Sequence, residues 1–160
     1  MQTLVARRVL TLAAALAASV AVGGQAKAAT LTRSELALLK VMNQVRGSHG
    51  LRPLRVDVRL ERAARGHSRT MLRTGQMFHG AYAARIRRTG VSAPRVGENL
   101  AWGAGVLARA RAIVNMWLAS PEHRANLLHA GYRSVGVGAL RGRFDGYSGA
   151  IVITTDFAGS

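Results

Sequence analysis

From Asp57 to Thr74 the chain carries one strongly sided helix, which constrains the fold more than any other segment. At 100° per residue, Leu60, Ala63, Ala64, His67 and Met71 share one face, and Arg59, Arg62, Arg65, Arg69 and Arg73 share the opposite one. A helix with a single apolar stripe must lay that stripe on another layer. Asp57 suits the N-cap and Gly75 the stop. The arginine face is either solvated or available to an anionic surface.

The final third of the chain supplies the other layer. Val135, Val137 and Ala139 alternate with Gly136, Gly138 and Leu140, and Ile151, Ile153, Thr155 and Phe157 alternate with Val152, Thr154 and Asp156. With Asp145-Gly146 between them, these segments predict an antiparallel hairpin. Upstream, Leu36, Leu39, Val41, Met42 and Val45 predict a helix from about Thr32 to Gly47, opened by a Thr32/Glu35 capping box. Pro53 disfavours helix before it, so Leu51–Leu54 is extended. Residues 76–96 read as loop with a short helical piece near Tyr82–Arg88, and residues 97–102 as irregular. A third helix is expected over Ala104–Ala119, with Ile113, Met116 and Trp117 as its stripe, and a fourth from Ser120-Pro121 through Leu128. Helices followed by antiparallel strands define an α+β domain with helices packed on a sheet.

The first residues do not belong to that pattern. Arg7 and Arg8 close a basic segment, Val9–Val22 is apolar except for Thr11 and Ser19, and Ala26-Lys27-Ala28 is a small-x-small cleavage site. That is the layout of a signal peptide, residues 1–28. The alternative is an uncleaved anchor, but the apolar run is shorter than the ~20 residues a spanning helix needs. The residues flanking Arg7-Arg8 match a twin-arginine signal poorly, which leaves the general secretory route. The expected product is a secreted single domain, residues 29–160.

Such a chain holds no cysteine, so it must rest on its core alone, and thiolate metal sites are excluded. Its 23 basic residues face only 7 acidic ones, a formal charge of +16. Arg7, Arg8 and Lys27 lie in the leader, which leaves +13 beyond it, nearly all arginine. This balance is either a matter of composition and solubility or an attraction to wall polymers and lipid head groups. With few aromatics and no nucleic-acid motif, nucleic acid is not an expected partner.

Chemistry-bearing residues gather in three segments: Met77-Phe78-His79, the run from Gly97-Glu98-Asn99 to Trp102, and the run from Trp117 to Leu128. In the third, Ser120 can cap a helix, Pro121 suits its first position, and Glu122 faces the positive end of the dipole. His123 then stands in the first turn, where imidazolium is disfavoured, so its neutral ring can ligate a metal or accept a proton. His67, on the apolar face, reads as a satisfied core histidine, and His49 and His129 as surface residues.

Asn43 and Arg46, Leu51-Arg52-Pro53-Leu54, His67-Ser68, Phe78-His79, Gly97-Glu98-Asn99-Leu100-Ala101, Trp117, His123 and Gly136-Val137-Gly138 follow one another as in a bacterial CAP domain. The chain thus resembles the cysteine-rich secretory, antigen 5 and pathogenesis-related-1 superfamily in its cysteine-free form. The resemblance implies a three-layer α-β-α sandwich with a central antiparallel sheet and a cleft lined by two histidines and two acids. His79, Glu98 and His123 fall on three of those positions. The second acid's position is occupied by Ser120, and Glu122 is its candidate substitute. Two histidines and a carboxylate suit Zn²⁺ or another divalent transition metal, with His79 and His123 as ligands. The alternative is that His79 and Glu98 only hydrogen-bond one another.

Three functions remain open at this stage. The resemblance favours a non-enzymatic, monomeric binding module for a lipid, a small or surface ligand, or a metal. A metal-assisted hydrolase would draw on His79, His123 and Glu98, and a serine mechanism would need Ser120 or Ser92 beside a histidine and an acid. An interaction protein for wall or membrane surfaces would use the arginines and need no cleft.

Overall fold

The computed structural model describes residues 30–160; the leader expected at residues 1–28 lies outside them. Five helices and four strands follow in the order α1 (Arg33–Ser48), β1 (Arg55–Val56), α2 (Val58–Thr74), α3 (Tyr82–Arg87), β2 (Arg95–Gly103), α4 (Ala110–Ala119), α5 (Pro121–Leu127), β3 (Tyr132–Phe144) and β4 (Tyr147–Gly159). The strands form one sheet in the order β1-β3-β4-β2. β3 and β4 are the expected antiparallel hairpin, and β2 pairs antiparallel with β4 along its whole length. The two-residue β1 adds a parallel edge beside β3.

Helices cover both faces of the sheet, so its strands are buried on both sides. On one face α1, α4 and α5 pack Leu38, Met42, Ile113, Trp117 and Leu127 against Val135, Val137, Ile151, Ile153 and Phe157. On the other, α2 and α3 contribute Leu60, Met71 and Ile86 against Leu100, Val152 and Ala158. The result is an α+β domain in three layers, α-β-α.

The helix starts follow the local chemistry expected of them. Thr32 and Glu35 form the capping box of α1, Asp57 caps α2 by accepting from the Arg59 amide, and Gly75 ends α2 in the left-handed conformation at φ 68°. The helix expected over residues 104–119 is divided. Gly105 adopts φ +55° and opens a 3-10 turn, Gly105–Ala108; Arg109 is extended, and α4 begins only at Ala110. Two residues assigned to apolar stripes face outward instead, Leu36 at 57% exposure and Met116 at 38%. Each lies to one side of the narrow strip of its helix that meets the sheet.

The arginine stripe of α2 is only partly solvated. Arg65 turns onto Glu35 of α1 and also pairs with Glu61 at 2.6 Å, while Arg59 holds Asp57 at 2.8 Å. Burial alone would raise the Glu35 carboxyl, but Arg65 and the Thr32 cap hold it below its ordinary value.

One buried arginine ties distant segments together. Arg46, fully buried at the end of α1, donates to the carbonyls of Arg52, Leu127, His129 and Tyr132 at 2.8–3.2 Å. Burial, and then Arg133, lower its pKa, yet the guanidinium stays charged because arginine starts so high.

Trp117 is the largest fully buried side chain, 1% exposed, and its indole N–H donates to the Leu100 carbonyl at 2.9 Å. Trp117→Ala removes both the packing and that bond. A loss of about 3–5 kcal/mol is expected in a denaturant melt; a loss under about 1 kcal/mol would mean the ring is not a core anchor.

Candidate functional site

The site straddles β2, the edge strand of the sheet. Pleating sends Glu98 to the α2–α3 face and Asn99 to the α5 face. The segment 97–102, expected to be irregular, is therefore regular strand. Its Gly-Glu-Asn start hides the alternation because the polar residues are buried by partners from elsewhere in the chain. Gly97 has a packing reason to be glycine: a Cβ there would lie 2.5 Å from the Tyr132 hydroxyl oxygen and 2.7 Å from Oδ1 of Asn126.

On the first face, Glu98 is 3% exposed and both of its oxygens are engaged. Oε1 lies 2.7 Å from Nδ1 of His79, and Oε2 pairs with the Arg85 guanidinium of α3. Arg85 also reaches Oδ1 of Asp156 at 3.2 Å, and Asp156 stands directly across from Glu98 in the β2–β4 register. Asp156 is fully buried, and its Oδ2 has no hydrogen-bond partner among the described residues. Burial pushes both carboxyls up, to about 7, against the opposing pull of Arg85. One arginine balances the charge of only one of these two adjacent buried acids, so the pair holds a proton at mildly acidic pH.

His67 behaves as the core histidine expected. Its Nε2 lies 2.7 Å from the Phe78 carbonyl and 4.0 Å from Oε2 of Glu98. A carbonyl only accepts, so the proton sits on Nε2. Burial, then Arg85, lowers its pKa. His49 is exposed, whereas His129 is half-buried against Tyr132, with ring centroids 4.4 Å apart and the planes tilted by 34°.

On the other face, the first turn of α5 presents His123. Ser120 occupies the N-cap and Pro121 follows it, as the sequence predicts, but the Ser120 hydroxyl caps no backbone amide. It sits 2.7 Å from Nδ1 of His123 and orients that ring. Asn99 donates to the His123 carbonyl at 2.9 Å, and Asn126 bonds both the Glu98 carbonyl and Oδ1 of Asn99 at 3.0 Å, which locks α5 to the strand. The His123 pKa is lowered by burial first and by the nearby His79 second. Both effects act in the direction of the neutral ring expected there.

His79, Gly80, Tyr82, Glu98, Glu122, His123 and Asn126 line one cleft of about 290 Å³. The segments at residues 79, 98 and 122–123 thus converge, and Glu122 is exposed at the rim. Each histidine uses Nδ1 on a protein group, which leaves its Nε2 without a hydrogen-bond partner among the described residues. Among the described residues no cluster of three His, Asp or Glu side chains is placed to hold a metal ion together. Sequence reasoning missed Arg85 and Asp156. Asp156 reads as one polar residue in a strand alternation, and Arg85 as one arginine among many; only the β2–β4 register and the placement of α3 bring them to Glu98.

An edge-strand cleft between a helical turn and a loop histidine, on an α-β-α sandwich, is the arrangement anticipated for a CAP domain. The family model described as CAP, the cysteine-rich secretory protein family, matches residues 39–157, and the chain belongs to that family. Among curated proteins it is 33% identical over 115 residues to the uncharacterized membrane protein YlbC of Bacillus subtilis, covering 69% of this chain and 32% of that protein. It is also 33% identical over 99 residues to pathogenesis-related protein 1 of Arabidopsis thaliana, covering 62% and 52%. The chain thus spans about a third to a half of the curated relatives it matches. An extracellular SCP-domain protein of Bacillus anthracis superposes with TM-score 0.66 at 25% identity, covering 82% of this chain and 45% of that one. An outer surface protein of Borrelia burgdorferi gives 0.69 at 20% identity over 82% and 96%, a likeness of fold alone.

Proposed function

We propose that this CAP domain is an extracellular binding module that uses the cleft for a small ligand completed by a divalent transition metal, and that it carries out no turnover. The observation that supports this reading is the engagement of Glu98. A general base needs a carboxylate oxygen free to take a proton from substrate, yet Oε1 is held by His79 and Oε2 by Arg85. His79 and His123 both line the cleft, and the ring nitrogen that each leaves uncommitted is Nε2. The His79–Glu98 bond is the kind of outer contact that orients a metal-ligating histidine. Two imidazoles suit Zn²⁺, copper or nickel and leave coordination positions for a ligand's own donor atoms. The leader-like sequence and the extracellular SCP-domain relative support export.

Zn²⁺ titrated calorimetrically into the protein is expected to bind at one site. His79→Ala/His123→Ala should abolish that binding, and Glu98→Gln should weaken it roughly 10- to 100-fold by releasing the His79 ring. Equal binding by wild type and the double variant would remove the metal from the proposal. Turnover of peptide, ester or peptidoglycan substrates that vanishes in folded Glu98→Gln and His123→Ala proteins would replace the binding module with a hydrolase.

A further inference from the structure

The hairpin end of the sheet carries a second surface, five residues along β2 from Glu98, or about 17 Å. There the 3-10 turn lifts Val106 and Leu107 into solvent, 64% and 54% exposed. Beside the turn runs a groove of about 310 Å³ with Leu38, Ile151 and Ile153 in its floor and Arg33, Arg109 and Arg141 along it. Among the described residues none of these arginines pairs with a carboxylate; Arg141 donates to the Gly149 carbonyl at 3.0 Å. On the other face at the same end, Trp102 meets Tyr147 with centroids 5.9 Å apart, and Tyr147 is 56% exposed. Two acids lie near this surface in the chain: Glu35, which is buried and paired with Arg65, and Asp145, in the hairpin turn.

Exposed aliphatic tips, a Trp–Tyr pair and unpaired arginines around one edge make up a surface suited to the boundary between water and lipid. Aromatic rings settle at the head-group level, arginines bind phosphates, and short apolar side chains enter the acyl margin. A second copy of the chain is a poor occupant, because a formal charge of +16 opposes self-association. We infer that this end docks on an anionic phospholipid bilayer, with Val106 and Leu107 entering the interface and Arg33, Arg109 and Arg141 binding lipid phosphates. The docking leaves the histidine cleft free and does not depend on its ligand.

The test uses the chain expressed from Ala29, which contains every element described above and removes the apolar leader as a source of membrane affinity. It should sediment with vesicles of equal parts phosphatidylcholine and phosphatidylglycerol and stay in solution with phosphatidylcholine alone. Emission should shift to the blue through Trp102, since Trp117 is already buried. Arg33→Gln/Arg109→Gln/Arg141→Gln should lower vesicle affinity roughly a hundredfold, and Val106→Ser/Leu107→Ser at least about tenfold. Arg33→Lys/Arg109→Lys/Arg141→Lys, which keeps the charge, should retain most of the binding. If Val106→Ser/Leu107→Ser binds as wild type does, charge alone drives attachment and the docking mode is wrong. Full binding by the glutamine triple variant, or loss of binding in the lysine one, overturns it equally.

Discussion

Arg85→Met is expected to destabilise the protein by about 3–5 kcal/mol at pH 8, the usual cost of stranding a buried charge by removing its partner. Among the described residues Arg85 is the one cation in contact with both Glu98 and Asp156, and both acids are buried. The loss should shrink at pH 5, where the stranded carboxyls can protonate. Adding Asp156→Asn should recover part of it at every pH. A loss under about 1 kcal/mol, or one that does not change with pH, would mean that Arg85 does not hold the pair. In wild type the sign runs the same way. An acid whose native pKa is raised binds its proton more tightly folded than unfolded, so stability falls as pH climbs from its ordinary value near 4 to about 7. Asp156→Asn alone, which mimics the protonated partner, should flatten that part of the pH profile relative to wild type in thermal melts.

The other large effect is expected at the sheet surface beneath α2. A Cβ at Gly136 would lie 2.1 Å from the Leu60 carbonyl carbon, and one at Gly138 would lie 2.4 Å from the Ala64 carbonyl carbon and the Arg65 amide nitrogen. These neighbours are backbone, so no rotamer change relieves the clash, and α2 itself would have to lift. Each Gly→Ala change should cost at least the roughly 1–3 kcal/mol of ordinary overpacking. The two together should remove a large part of a typical domain's ~5–15 kcal/mol. Gly66 provides the contrast, since it lies within α2 with open space around it. Gly66→Ala should raise stability by roughly 0.5–1 kcal/mol. A Gly136→Ala/Gly138→Ala protein that melts with wild type would mean that α2 does not lie so close to the sheet.

Much of this architecture is legible in the sequence because it is written locally. The Thr32/Glu35 box, the Asp57 cap, the stripe of α2 and the two-residue alternation around Asp145-Gly146 each lie within a few turns of chain. The placements that failed depend on distant partners. β2 carries Glu98 and Asn99 where a strand pattern calls for apolar residues, and Arg85, His79, His123 and Asn126 make their burial tolerable. Arg65 belongs to a stripe that looks solvated until α1 brings Glu35 against it. Ser120 looks like an ordinary helix cap, and its role as the orienter of His123 depends on a rotamer that no spacing rule encodes. Segment order was enough to bring His79, Glu98 and His123 to one cleft. Asp156 stands next to the same cleft but was not found, because β-strand register cannot be read from one strand alone.

Arg46 gives the fold a property that its family name does not suggest. Its four bonds to carbonyls from residues 52 to 132 clamp the end of α1 to two separate loops, a task that small exported domains often leave to a disulfide. A guanidinium staple needs no oxidant to form and no isomerase to correct. It closes when the loops arrive and opens when they leave. The domain is therefore indifferent to thiol reagents and to the redox state of its surroundings. A chain threaded unfolded across a membrane could assemble on the far side without help from oxidative folding enzymes, in air or in its absence.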